Sequence, residues 1–277
     1  MTPDLPRVQI GGLSVSKLII GDNPMYGYSH FNKLLSSHYV EWHTPDRVME
    51  ALRRAEEAGI NAWQNSLTER SVSDAQRYLK EGGGVHWFAL SWSDEWYRNP
   101  SKATEDARHG PAAMAPHGGG VGDRCFREGK LDLLKDILKR IRDAGTLVGL
   151  SAHDPRLVET AEERGWDVDY YMTALYHLSA ARREFAQKFG HDPMGEIYLR
   201  EHRDRMLDVV SRVSKPCIVY KVLAAGRAIQ SRDRIRSEFA YALKRMKLND
   251  ALLVGMYQKY GDQIGENAAL VAELCAE

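Results

Sequence analysis

The sequence predicts an α/β fold, a single closed (β/α)8 barrel with an N-terminal β-hairpin, on three observations. Eight short apolar runs alternate with helical patterns from end to end, the signature of parallel strands joined by crossover helices. Eight is the number of strands that closes such a barrel, and 277 residues, 43% of them hydrophobic, match the roughly 250 that a TIM barrel uses. No linker, repeat or low-complexity tract divides the chain, so one domain is expected over 1–277.

The elements follow in order. VQIGGLSVSK reads as the hairpin, turning at Gly11 and Gly12 and placed to close the barrel floor. The strand runs are 17–21, 60–65, 85–91, 112–117, 147–151, 168–175, 216–222 and 251–256. The clearest helix begins at Thr44, a capping residue followed by Pro45, carries Val48, Leu52 and Ala55 on one face, and ends at Gly59. Similar amphipathic patterns cover 131–144, 155–164, 203–213, 231–246 and 266–276. Two connections, 22–43 and 178–201, are longer than the barrel requires. Both leave from strand C-termini, where barrel enzymes place their active sites, so both are expected to wall or cover the mouth.

Composition narrows the function classes. Lys plus Arg number 38 against 38 Asp plus Glu, so a basic nucleic-acid footprint is not expected. The opening MTPDLPRVQIGG lacks a signal-peptide pattern and no apolar run is long enough to span a bilayer, which favours a cytoplasmic protein with a small-molecule substrate and no membrane partner. Cys125, Cys217 and Cys275 are odd in number, far apart and without a CxxC pair, so cysteine chemistry is not expected.

The candidate chemistry lies at strand ends. His117, His153 and His177 end or closely follow three consecutive strands, and neighbouring strands lie only about 4.8 Å apart. Three imidazoles with an open position would suit a catalytic divalent metal such as Zn, Fe, Ni or Mn, with Asp22 and Glu69 as further ligands or supporting groups. Alternatively the histidines contact substrate or satisfy loop backbone, His117 serving as acid, base or donor. Gly118, Gly119 and Gly120 read equally as an anion cradle or a flexible turn. Lys221, ending the seventh strand among apolar neighbours, suits an electrostatic role or Schiff-base chemistry. Trp92 and Tyr176 are the aromatics best placed to stack on a flat polar ligand.

Several stretches in chain order resemble the aldo-keto reductase superfamily. GLSVSKLIIG resembles its opening GLxVSxLxLG, EALRRAEEAGIN its first helix, VGLSAH its GxSN, VYKVLAAGR its YSPLAxG, and VGMYQKYGDQIGEN the segment ending in RIxEN. The resemblance implies the barrel and a nicotinamide cofactor, with a Tyr acid tuned by Lys, Asp and His. Here Gln64 stands for the Asp, Glu69 for the Tyr and Ser91 near the Lys, leaving His117 as the match. At the implied cofactor site Ser151, Glu266 and Asn267 match, whereas Ala152, Thr173, Lys221 and Gln263 replace the pattern's residues.

These readings predict an enzyme on a small polar oxygenated, carbohydrate-like substrate, using metal-assisted proton transfer or lyase or hydrolase chemistry. His117, Glu69, Lys221 and Asp22 would be catalytic and His117, His153 and His177 the ligands. One alternative is an NADP-dependent oxidoreductase with an altered tetrad, holding its cofactor through Ser151, Lys221, Glu266 and Asn267. Another is a non-catalytic ligand-binding barrel.

Overall fold

The computed structural model describes residues 5–277; the first four residues of the expected domain lie outside them. An antiparallel hairpin, β1 (Arg7–Ile10) and β2 (Leu13–Ser16), precedes the barrel and turns at Gly11 and Gly12, both at positive φ. The barrel strands are β3 (Leu18–Gly21), β4 (Ala62–Ser66), β5 (His86–Leu90), β6 (Ala113–Ala115), β7 (Leu147–Ala152), β8 (Tyr170–Ala174), β9 (Cys217–Tyr220) and β10 (Ala251–Gly255). All pair in parallel with their sequence neighbours, and β10 returns to β3 through the register Leu252 opposite Leu18, closing the ring. Each of the eight predicted runs overlaps one of them, β4 and β7 extending one residue past the run.

Helices fill the connections: α1 (Lys33–Trp42), α2 (Pro45–Glu57), α3 (Glu69–Lys80), α4 (Glu95–Arg98), α5 (Lys102–Ala107) and α6 (Asp123–Arg127) in the first half. The second half adds α7 (Leu131–Asp143), α8 (Pro155–Glu163), α9 (Leu178–Phe189), α10 (Arg200–Arg212), α11 (Arg232–Arg245) and α12 (Gln263–Ala276). Thr44 caps α2 by accepting from the Arg47 amide at 3.4 Å, Pro45 opens it, and Gly59 at φ +81° releases the chain toward β4. The two long connections are not bare loops, since α1 lies in the first and α9 in the second.

Strand alternation divides the apolar residues between two layers. Ile19, Phe88, Tyr170, Met172, Ile218 and Leu253 point inward, where Val8, Ile10 and Val15 of the hairpin join them and seal the floor. Leu18, Ile20, Trp63, Leu150 and Val219 point outward onto Val48, Leu52, Leu134, Ile137 and Leu157 of the helices. Inside the barrel, bulky and small residues face each other: Gly149 pairs with Tyr170, whose ring fills the vacant side-chain position and packs edge-on against Phe88 at 5.6 Å.

A Cβ on Gly149 would overlap the fully buried Tyr170 ring, which has nowhere to go. Gly149→Ala is therefore expected to destabilise the protein by about 1–3 kcal/mol, the usual penalty of overpacking. Urea unfolding followed by circular dichroism checks this, and an unchanged midpoint would contradict the packing described.

Candidate functional site

The C-terminal ends of β3, β4 and β9 and the start of α12 enclose a cavity of about 660 Å³. Asp22 and Gln64 line it from β3 and β4, Tyr220 and Lys221 from β9, and Glu266 and Asn267 from α12. Tyr28 and His30, from the first long connection, complete it.

Asp22 follows the last residue of β3 and is 2% exposed. Its carboxylate accepts the Ser66 amide at 2.7 Å. Burial nevertheless dominates and raises its pKa to about 6, because a charged carboxylate loses more hydration than the Ser66 hydrogen bonds return. Gln64, on the neighbouring strand, is 6% exposed, and its side-chain nitrogen has no partner. An orphaned donor on a cavity wall is what a ligand oxygen would satisfy.

Lys221 leaves β9 with φ +64°, and Ala224 and Ala225 follow at +48° and +50°. Three non-glycine residues in the left-handed region within five positions is a costly concentration of strain of the kind found at functional sites. The Lys221 ammonium donates to His30 Nε2 at 3.1 Å, and His30 Nδ1 in turn donates to Glu196 at 2.8 Å. Glu196 also accepts the Tyr198 hydroxyl at 2.8 Å. His30 lies in the first long connection and Glu196 in the second, so the two meet above Lys221 as a roof. Burial lowers the lysine to about 8, with Glu196 opposing the shift.

His117, two residues past β6, is held by its own loop. Its amide donates to Ser91 Oγ at 2.7 Å, and its Nδ1 accepts the Gly120 amide at 2.9 Å. With Nδ1 accepting, the neutral ring carries its proton on Nε2. Burial, reinforced by His153 and Lys221, lowers its pKa to about 4, so the neutral donor form prevails. The glycines after it are neither a bare cradle nor a loose turn. They form a π-helical turn, Gly118–Gly122, packed so closely that a Cβ on Gly118 would lie 2.9 Å from His153 Nδ1 and one on Gly122 2.6 Å from the Ser151 carbonyl oxygen.

His153 faces a different partner. Asp123 accepts both its amide, at 3.0 Å, and its Nδ1, at 2.8 Å, while His153 Nε2 lies 3.4 Å from the Tyr220 hydroxyl. Ser151 Oγ is 3.3 Å from that same hydroxyl, giving a short polar chain from Asp123 to Ser151.

The expected metal trio is not assembled. His117 and His153 each commit Nδ1 to the chain, and the ring of His177, 6.4 Å from that of His153, lines a separate pocket beside His202. Among the described residues no three His, Cys, Asp or Glu side chains group as ligands. The reason is that the connections splay after the rim: His177 is already the residue before α9. Glu69 is also corrected. It is exposed in the first turn of α3, where a carboxylate suits the helix dipole, and it does not line the mouth.

The residues that the resemblance assigned to a dinucleotide are brought together only in part. Lys221, Glu266 and Asn267 share the cavity, while Ser151 is buried beside Tyr220. At the start of α12, however, Asp262 accepts the Gly265 amide at 3.1 Å and Gln258 the Ile264 amide at 3.0 Å. Arg54 pins Asp262 at 2.5 Å and holds its carboxyl down at about 2. The helix end is thus already satisfied by an anion of its own chain.

No family model and no curated protein sequence matches this chain. Solved structures do. A glycerol dehydrogenase from Gluconobacter oxydans is similar with a TM-score of 0.59 and 14% identity, over 100% of this chain and 96% of that one. Gox0644, solved in complex with NADPH, gives 0.57 and 11% over 99% and 89%. A truncated 3-deoxy-D-arabino-heptulosonate 7-phosphate synthase from Thermotoga maritima gives 0.53 and 11% over 99% and 92%. At these identities the likeness establishes a fold shared with aldo-keto reductases and with other barrel enzymes. Among the described residues no helix is long and apolar enough to cross a membrane.

Asp22 makes stability depend on pH in a defined direction. Its folded pKa of about 6 exceeds the ordinary 3.8, so burial of the charge costs stability above pH 6, and the cost vanishes as pH falls toward 3.8. Asp22→Asn keeps an acceptor for Ser66 without the charge. It should be more stable than the parent at pH 8 by roughly 2–3 kcal/mol, with the difference closing by about pH 4. Chemical denaturation at both pH values checks this. The opposite contribution of His117, lost as pH falls from 6.5 to about 4, is common to both proteins and cancels in the difference.

Proposed function

We propose that the mouth is the active site of an enzyme that transfers protons on a small polyoxygenated carbonyl compound of carbohydrate-like character. The observation that carries this reading is the placement of Asp22 and Lys221 on one cavity, with their pKa values moved toward each other, to about 6 and about 8. Between those values the carboxylate is ionised and the amine protonated. Asp22 then serves as the base that removes a proton from the carbon beside the carbonyl, and the Lys221 ammonium stabilises the negative charge growing on the carbonyl oxygen. Protonated Asp22 returns the proton to the same carbon, which completes an epimerisation, or to the former carbonyl carbon after the neighbouring hydroxyl proton has passed to the former carbonyl oxygen, which completes an isomerisation.

The rest of the wall supports a polar, oxygen-rich substrate. The unpaired amide nitrogen of Gln64, on a residue that lines the cavity, is the donor that a substrate hydroxyl oxygen would accept from, whereas His117 is not part of this lining. Tyr28 lines the cavity and packs on Trp92 at 5.3 Å, an aromatic pair suited to the apolar face of a sugar. Lys221 takes the place assigned to a metal ion from sequence, which leaves His153 and His177 outside the reacting set.

A second reading, a nicotinamide-dependent oxidoreductase, is favoured by the shared position of Lys221, Glu266 and Asn267 and by a neighbour of this fold solved with NADPH. The phosphate end of such a cofactor does not fit: the α12 amides are occupied by Asp262 and Gln258, and Gln263 spends its oxygen on the Tyr257 amide at 2.8 Å. No step is assigned to it.

The test is exchange of carbon-bound protons for deuterium in D2O, followed by proton NMR over a panel of aldoses, ketoses and uronates. Exchange should be greatest near pH 7, falling on the acid side near 6 and on the alkaline side near 8. Asp22→Asn and Lys221→Met should each reduce it by about 10²–10⁴-fold. Absence of exchange across the panel, together with saturable quenching of NADPH fluorescence, would transfer the assignment to the oxidoreductase. Saturable sugar binding with neither activity would make the barrel a binding protein.

A further inference from the structure

Outside the mouth, α8, α9 and α10 enclose a second pocket of about 490 Å³ at the ends of β7 and β8. Four arginines and four carboxylates line it, but they are not evenly matched. Asp154 is held by Arg156 at 2.6 Å and Glu159 by Arg212 at 3.0 Å. Asp208 is taken by Arg245, which is not part of the pocket lining, and Glu184 by His202 Nε2 at 3.1 Å. Every carboxylate is therefore engaged, and Arg183 and Arg205 remain without an acidic partner among the described residues.

The imidazoles add an independent sign of a missing ligand. His202 is 8% exposed and lines the pocket, and with Nε2 on Glu184 its buried Nδ1 has no partner. Buried polar atoms without partners are rare and call for an explanation. His177 lies beside it, with ring centroids 6.3 Å apart, and lines both this pocket and an adjoining one of about 250 Å³ that Arg183 shares.

We propose that this pocket binds a phosphate-sized dianion, either inorganic phosphate or the phosphoryl group of a sugar phosphate. Arg183 and Arg205 supply planar guanidinium donors, the group best matched to phosphate oxygens. In its doubly protonated form His202 donates Nε2–H to Glu184 and Nδ1–H to the dianion, which satisfies the orphaned atom and adds a third cationic donor. The site stands apart from the proton-transfer reading and needs no residue of the Asp22 and Lys221 pair. His153 lines it as well and approaches Tyr220 of the mouth, so the two sites share one side chain.

Binding is measured by isothermal titration of the whole chain with sodium phosphate, with glucose 6-phosphate and with glucose, at ionic strength held constant with sodium chloride. Saturable millimolar or tighter binding of at least one phosphate, and none of glucose, is expected. The double variant Arg183→Gln/Arg205→Gln should weaken it by roughly tenfold or more. Both side chains are exposed, so the fold should survive, and circular dichroism verifies that it does. Arg182→Gln, which removes a neighbouring exposed arginine paired with Asp192, should leave affinity unchanged. Equal affinity for both phosphates identifies the oxyanion as the ligand, and tighter binding of the ester identifies a sugar phosphate. No saturable binding of either, or undiminished binding in the double variant, overturns the proposal, whatever the outcome of the exchange experiment at the mouth.

Discussion

The mouth depends on how closely two backbones approach where the barrel closes. Gly21 at the end of β3 pairs with Gly255 at the end of β10, and a Cβ on Gly21 would lie 3.2 Å from the Gly255 nitrogen. A Cβ on Gly255 would meet the Pro24 ring at 2.7 Å. With glycine on both sides, the chain can leave β3 tightly, fold Asn23 to Met25 back over the rim and bury Asp22. The Asp22 carbonyl accepts the Met25 amide at 2.8 Å, which locks that turn. Closure of the sheet and burial of the carboxylate thus rest on one contact.

Burial then sets the electrostatics on both sides of the cavity. It is the largest cause of the upward shift of Asp22 and of the downward shifts of Lys221, His30 and His117. These groups would titrate far apart in water and are drawn toward neutrality by a shared loss of hydration. The roof contributes to that loss. His30 and Glu196 come from connections 166 positions apart, and their hydrogen bond excludes water above Lys221 while leaving it a charge partner at one remove. The roof joins the two long connections above Lys221, so both belong to the enclosure of the cavity.

The fold was legible because it is written in patterns that recur eight times. Short apolar runs located every barrel strand, and local chemistry located the Thr44 cap, the Gly59 terminus and the Gly11–Gly12 turn to the residue. The site was legible only where a residue belongs to a strand end. Asp22 and Lys221, both read at strand ends, do come to line one cavity, which His117 does not. His177 failed because strand adjacency fixes where a connection begins and says nothing of the direction it takes after a few residues. Glu69 failed because alignment to a family pattern fixes an order of residues, while the first turn of α3 fixes where the side chain goes. His30 and Glu196 carried no signal: their meeting depends on positive φ at His30 and on the path of two irregular segments, neither of which leaves a periodic trace.

The start of α12 shows how far a retained motif can drift from its use. Glu266 and Asn267 keep the order that the resemblance expects, and they do reach the cavity. Yet Asp262 caps the helix from below and is itself clamped by Arg54 of α2, a contact between two helices on the barrel exterior. Opening those amides to a phosphate would require breaking a charge-assisted pair and uncovering a carboxylate next to the incoming anion, two unfavourable terms of the same sign. The ion pair gives the segment a structural reason to persist without a dinucleotide. On this argument Glu266 and Asn267 are walls of a polar cavity that Asp22 and Lys221 line from its other sides.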